Sequence, residues 1–197
     1  MNAADFINQL KDSDAWMRKS KALRYSAKAV VESSVKTLES MPVVDGRRRP
    51  DDAATEMLID VHGNGIFLYA LSVECALKAL IIKKCPHEIE VSATVDGSGE
   101  LTSAELKKIG KHSNDLHNLV YLAELSGLLK PGAGLDRRDL LNYATEAIRW
   151  LGRYPVPKSS IEKTRPPGNL PIAAYGLHFS EFISEFLDEI DNAFDNE

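Results

Sequence analysis

Three short stretches of this 197-residue chain place reactive side chains where chemistry could use them. In the first, Glu74 and Lys78 stand four residues apart inside an apolar run. With the Glu on the N-terminal side, that order favours an ion pair on one helix. The plain reading is a partly buried pair tying the helix to a neighbour; the chemical reading is a carboxylate held in a pocket. In the second stretch, Lys111-His112-Ser113-Asn114-Asp115-Leu116, a histidine sits at the start of a helical pattern. That histidine needs a hydrogen-bond partner, and Glu74 is a suitable acceptor. In the third, Arg149 and Arg153, with Tyr154 beside them, share one helical face and could hold an anion between them. As ordinary surface they would instead pair with an acid, such as those near the C-terminus.

Other chemistries find no support. His112 and His117 are five apart and diverge on a helix, and Cys85 and His87 have no second pair to complete a metal site. The nucleophile pattern G-x-S-x-G and the phosphate loop G-x-x-x-x-G-K are absent. His62-Gly63-Asn64-Gly65 does not follow a strand, so it is no dinucleotide fingerprint. No metal and no cofactor is expected.

The elements that must position these residues read as helices almost throughout. Residues 14–40 carry Trp16, Leu23, Ala27, Val30, Val31, Val35 and Leu38 at helical spacing, with Asp14 as the expected cap and Met41-Pro42 as the stop. A loop with Arg47, Arg48 and Arg49 follows. A second long helix opens near Pro50-Asp51-Asp52 and runs to Pro86. Gly63 and Gly65 interrupt its pattern, and continuity with another helix packed closely against them is the expectation. Residues 87–100 read as a flexible loop or short hairpin arm. Thr102-Ser103-Ala104-Glu105 resembles a capping box, which predicts a short helix to Ile109. Ser113 or Asn114 is the expected cap of a helix over 116–125, and Asp136 opens another through 152. Five prolines between 155 and 171 predict an extended linker. In the last helix, 173–193, Tyr175, Phe179, Phe182, Ile183, Phe186, Leu187, Ile190 and Phe194 form a stripe that reads as core.

The composition is that of a folded domain: 44% hydrophobic, 27% charged, two cysteines. It is too apolar for disorder and too poor in cysteine for a disulfide scaffold. The net charge of −5 conceals a split. Residues 180–197 hold seven acids and no Lys or Arg; without those seven, 22 acids face 24 basic residues. The excess acidity thus belongs to the last helix, whose acids are expected to face solvent or the bundle's own basic surface. Arg18, Lys19, Lys21, Arg24 and Lys28 have no acid between them. They read either as a solvated face or as part of an anion or RNA-backbone surface. The stretch 66–82 is interrupted by Glu74 and Lys78, which predicts a buried helix and no membrane span. Cys75 and Cys85 would lie about 15 Å apart on one helix, too far for a bridge, so a reduced, cytoplasmic protein is the default.

The same three stretches carry a resemblance. Ala70-Leu71-Ser72-Val73-Glu74-Cys75-Ala76-Leu77-Lys78-Ala79-Leu80 is similar to the central helix of the HEPN superfamily (higher-eukaryote and prokaryote nucleotide-binding domain). The stretch His112-Ser113-Asn114-Asp115-Leu116-His117-Asn118-Leu119 resembles its Gly-His-Asp-Leu-x-x-Leu signature with an insertion between His112 and Asp115. Arg149-Trp150-Leu151-Gly152-Arg153-Tyr154-Pro155 resembles the Arg-Tyr-Pro exit of its last core helix. The match spans about residues 15–158. It implies an all-α, antiparallel, up-and-down helical bundle over 1–155 with an insert near 87–101. A Pro-rich linker over 156–172 and an acidic amphipathic helix over 173–197, packed on the bundle, would follow. It also implies a homodimer, and either a metal-independent endoribonuclease of a toxin or defence system or a noncatalytic module. The ribonuclease branch uses an Arg and a His with four to six residues between them, and no Arg of this chain has such a His. The expected function is therefore noncatalytic binding of RNA, a nucleotide or a protein partner of nucleotidyltransferase or antitoxin type. A structural adaptor is the plainer alternative. The residues expected to form the polar or anion site are Glu74, Lys78, His112, Asp115, Arg149, Arg153 and Tyr154, with no catalytic residue among them.

Overall fold

In chain order the elements are α1 (Ala3–Leu10), α2 (Ser13–Ser40), β1 (Val43–Val44), β2 (Arg47–Arg48), α3 (Asp52–Lys84), β3 (Ile89–Val95), β4 (Leu101–Ile109), α4 (Leu119–Leu125), α5 (Leu135–Glu146) and α6 (Ile172–Asp195). Helices α2, α4, α5 and α6 pack around the long helix α3, whose C-terminal half is buried, while α1 lies against the hairpin of β3 and β4 and the start of α2. A π-helical turn, Ala147–Leu151, continues α5. The computed structural model describes residues 3–44, 47–48, 52–98, 100–111, 116–130, 135–151 and 172–197. The expected linker therefore lies outside the described residues except for Ile172, which begins α6.

Helix α3 is the axis. Ala70, Val73, Ala76, Leu77, Ala79, Leu80 and Ile81 have no exposure at all, so this stretch of the helix is covered all round. A helix that is hydrophobic all round is a buried helix. Asp60–Lys84 is long and apolar enough to cross a membrane, yet 83% of its most apolar window lies inside this fold.

Small residues let α2 approach α3 closely. Ser20 Oγ donates to the Ser72 carbonyl at 2.8 Å, and Ser72 Oγ donates back to the Ser20 carbonyl at 2.9 Å. Further along, a Cβ placed on Gly65 would lie 2.7 Å from Val31 Cγ2. Ser20 meets Ser72 while the later Val31 meets the earlier Gly65, so the two helices run antiparallel. The continuous helix and close approach expected at Gly65 are both present.

Helix α6 completes the interior. Phe179, Ile183, Phe186, Leu187, Ile190 and Phe194 are buried in the same core as α3. Its acids face the bundle's cations: Arg24 lies 2.7 Å from Asp188 and 3.7 Å from Asp191, Arg137 pairs bidentately with Glu189, and Lys84 reaches Glu197. Lys83 donates to the Phe194 carbonyl at the end of α6, where a cation suits the helix dipole.

The fold is mostly helical but not purely so. The expected all-α chain is corrected by an antiparallel hairpin in which Ile89 pairs with Ile109 and Val95 with Leu101. The apparent capping box at 102–105 does not start a helix; those residues lie in β4. Its hydroxyls serve the hairpin instead: Thr102 Oγ1 donates to the Thr94 carbonyl and Ser103 Oγ to Thr94 Oγ1. Asp96 closes the turn, its Oδ1 accepting from the Ser98 and Glu100 amides. Two further corrections concern helix starts. The cap of α2 is Asp12, which accepts from the Ala15 amide, and α1 precedes it. The cap of α4 is Asn118, which accepts from the Tyr121 amide, so α4 starts later than expected. The arginine loop also holds the short ladder of β1 with β2.

Candidate functional site

Glu74 and Lys78 occupy one side of α3 and are both buried, with 7% and 6% of their side chains exposed. Helical geometry makes them neighbours one turn apart, and Lys78 Nζ donates to Glu74 Oε1. The second partner comes from a distant part of the chain. His117 Nδ1 lies 3.1 Å from both Glu74 oxygens. An ionised carboxylate only accepts, so Nδ1 carries the proton, and His117 is held in one tautomer with Nε2 on its other side. The imidazole is 42% exposed and is the part of this cluster that reaches water.

Three contacts fix the geometry. Trp16 on α2 lies over the Lys78 ammonium, 5.4 Å from ring centroid to Nζ, and its own Nε1 donates to the Leu10 carbonyl. Asn118, next to the histidine, caps α4, and the Leu119 amide donates to Thr145 Oγ1 on α5 at 3.1 Å. On the other side of the segment, Gly110 at φ +60° brings the hairpin against α4, where Tyr121 Oη accepts from the Lys111 amide. The chain is thus pinned both before and after the stretch that delivers His117.

The electrostatics follow from burial and pairing. Burial pushes the Glu74 carboxyl up, but the His117 hydrogen bond and the Lys78 ammonium together outweigh it, so its pKa lies below the ordinary 4.5. Burial, with the Glu74 charge adding to it, pushes the neighbouring Cys75 thiol up to about 11. Cys75 is therefore a neutral apolar side chain of the core.

Of the residues expected to form the site, the structure joins Glu74 with Lys78. Among the described residues Glu74's histidine partner is His117, which stands just before the Asn118 cap, where the turn into α4 aims it at α3. His112, Asp115, Arg153 and Tyr154 lie outside the described residues. Arg149 sits in the π-helical turn and donates to Glu146 at 2.7 Å, an acid of its own helix. Sequence reasoning passed over Trp16 and the pairing of His117. The signal for the latter was Asn118 standing three residues before Tyr121 and immediately before Leu119, Leu122 and Ala123, an N-cap pattern that leaves His117 outside the helix. Among the described residues no three His, Cys, Asp or Glu side chains converge as a metal site.

No family model, no curated protein and no solved structure matches this chain.

Proposed function

We propose that this chain is a noncatalytic, HEPN-like helical domain that binds RNA, a nucleotide or a protein partner. The observation that carries this reading is the closure of the Glu74 carboxylate. Lys78 and His117 take both of its oxygens, its pKa is lowered, and 7% of its side chain meets solvent. A carboxylate so engaged is a poor proton acceptor for a substrate, since general-base work needs a group poised near the working pH and within reach of the reacting proton. Two residues from separate motifs of the resemblance, 43 positions apart, meet here, which supports treating those motifs as one unit.

One feature favours the ribonuclease as a second reading. A carboxylate on Nδ1 with the rest of the imidazole toward water is the arrangement of an oriented general base. Against it, Arg149 is engaged by Glu146, so the anion-stabilising partner is already occupied. The test is incubation of the purified full-length chain with total RNA in EDTA. The noncatalytic reading expects RNA to remain intact beyond the buffer control. Cleavage that disappears in His117→Ala, with the variant still folded, would overturn it.

A further inference from the structure

The outward face of α2 is a basic strip built around an exposed aromatic ring. Arg18, Lys21, Tyr25 and Lys28 follow one another at steps of three, four and three residues, so they line up along one side of the helix over about 15 Å. All four are exposed, and Ala22 and Ala29 beside them are small and exposed as well. Tyr25 is 78% exposed, more than any other large apolar side chain described. The inner face of the same helix holds Met17, Ser20, Ala27, Val31 and Ser34 in the core, so the strip has no role in packing α2 on α3.

The acidic last helix offsets the charge of the strip in part, at Lys21. Arg24, on the flank toward α6, takes Asp188 and Asp191, and Glu189 and Glu197 are taken by Arg137 and Lys84. Lys21 is near enough to Asp191 to lower its pKa against the effect of burial, which leaves Asp191 shifted upward overall. The strip's own acids stand at or beyond its ends, with Asp12 3.6 Å from Arg18 and Glu32 3.8 Å from Lys28. Asp14 is the other acid there, and no acid occurs between residues 15 and 31. Exposed pairs at such distances are weak and give way to a stronger anion.

We propose that this face of α2 docks a single nucleic-acid strand, with Arg18, Lys21 and Lys28 on backbone phosphates and Tyr25 stacked under a base. Cations spaced along a line match the regular charges of a strand, and an exposed ring between them matches the unpaired π-faces that a duplex hides. The inference rests on the binding function proposed above and names its surface and ligand class.

The test uses the full-length chain and fluorescein-labelled oligouridylate and oligothymidylate, followed by anisotropy. Three neutralised phosphates give a log–log salt slope of about −2, so affinity falls roughly 20-fold between about 50 and about 200 mM salt. Tyr25→Ala weakens binding by roughly 5- to 150-fold, the range for loss of one stacked base, while Tyr25→Phe restores it. Arg18→Ala/Lys21→Ala/Lys28→Ala flattens the slope. These positions are exposed, and circular dichroism confirms that each variant keeps its helices. Preference of the RNA over the DNA strand, or the reverse, identifies the source of the strand. The proposal is overturned by equal binding of a duplex of the same length, by binding to phosphatidylserine vesicles with none to either oligonucleotide, or by no binding at low salt. Binding unaffected by the Tyr25 and triple variants also overturns it, while leaving the general binding function standing. RNA cleavage by the wild-type chain would instead remove that function.

Discussion

Replacing Glu74 by Gln leaves the Lys78 ammonium in the core without its counter-charge. Glu74 and Lys78 are 5% and 4% exposed, so water cannot stand in for the lost carboxylate. Removing one member of such a pair costs about 3–5 kcal/mol, because the remaining charge stays desolvated. Natural domains hold about 5–15 kcal/mol in total, so the change removes a large part of the reserve. For a chain of this length it lowers Tm by about 6–20 °C, at about 2–4 °C per kcal/mol. Urea unfolding followed by circular dichroism reads the same loss as a shifted midpoint at unchanged slope. The pH dependence has a defined sign. The pKa of Glu74 is lowered in the fold, so its contribution is fully present above its ordinary 4.5 and is lost as pH falls through the folded-state value. Wild type and Glu74→Gln therefore differ most near neutrality and converge in acid. A second variant, Glu74→Leu/Lys78→Met, removes both charges and recovers most of the stability, since apolar groups of similar volume serve a buried position as well as an ion pair does. A cost below about 1 kcal/mol for Glu74→Gln, or a double variant no more stable than the single one, would refute this account of the pair.

Gly65→Ala gains about 1 kcal/mol in helix propensity but places a Cβ 2.7 Å from Val31 Cγ2, so overpacking of about 1–3 kcal/mol is set against it. Thermal unfolding is expected to show a net loss of about 1 kcal/mol that Val31→Ala relieves in a double-mutant cycle; additive effects would contradict the contact. Truncation before residue 172 removes six buried apolar side chains of α6, about 9–18 kcal/mol at about 1.5–3 kcal/mol each. The shortened chain is expected to be unfolded by circular dichroism, and a soluble, cooperatively folded product would show that α6 is only a cover. A homodimer is proposed on the apolar surface left outside the core, where Met57 is 52% and Phe182 56% exposed. Sedimentation at micromolar concentration is expected to give twice the chain mass of 21.8 kDa, and a monomer there would sink it.

Period and composition by themselves determined the helical character of α2, α3, α5 and α6. The apolar stripe of α6 has a period that only a helix can turn to one side, and the Ala70–Ile82 run of α3 is mostly apolar because it is covered on every side. The Glu74–Lys78 contact was equally local, being set by one helical turn. Where two local preferences competed, the tertiary structure decided. Thr102 and Glu105 have the spacing of a helix cap, but β4 pairs with Ile89–Val95 in a ladder with two register shifts, and the Thr102 and Ser103 hydroxyls join it. Which histidine reaches Glu74 was likewise beyond the sequence. That depends on how the hairpin exit at Gly110, the Asn118 cap and the Thr145 hydroxyl aim a short segment across a helix 43 residues earlier in the chain. The net charge of −5 and the concentration of acids in residues 180–197 were legible at once, but the cations those acids meet were not. Only packing of α6 against α2, α3 and α5 spends its acids on Arg24, Arg137 and Lys84 and leaves the outer face of α2 basic.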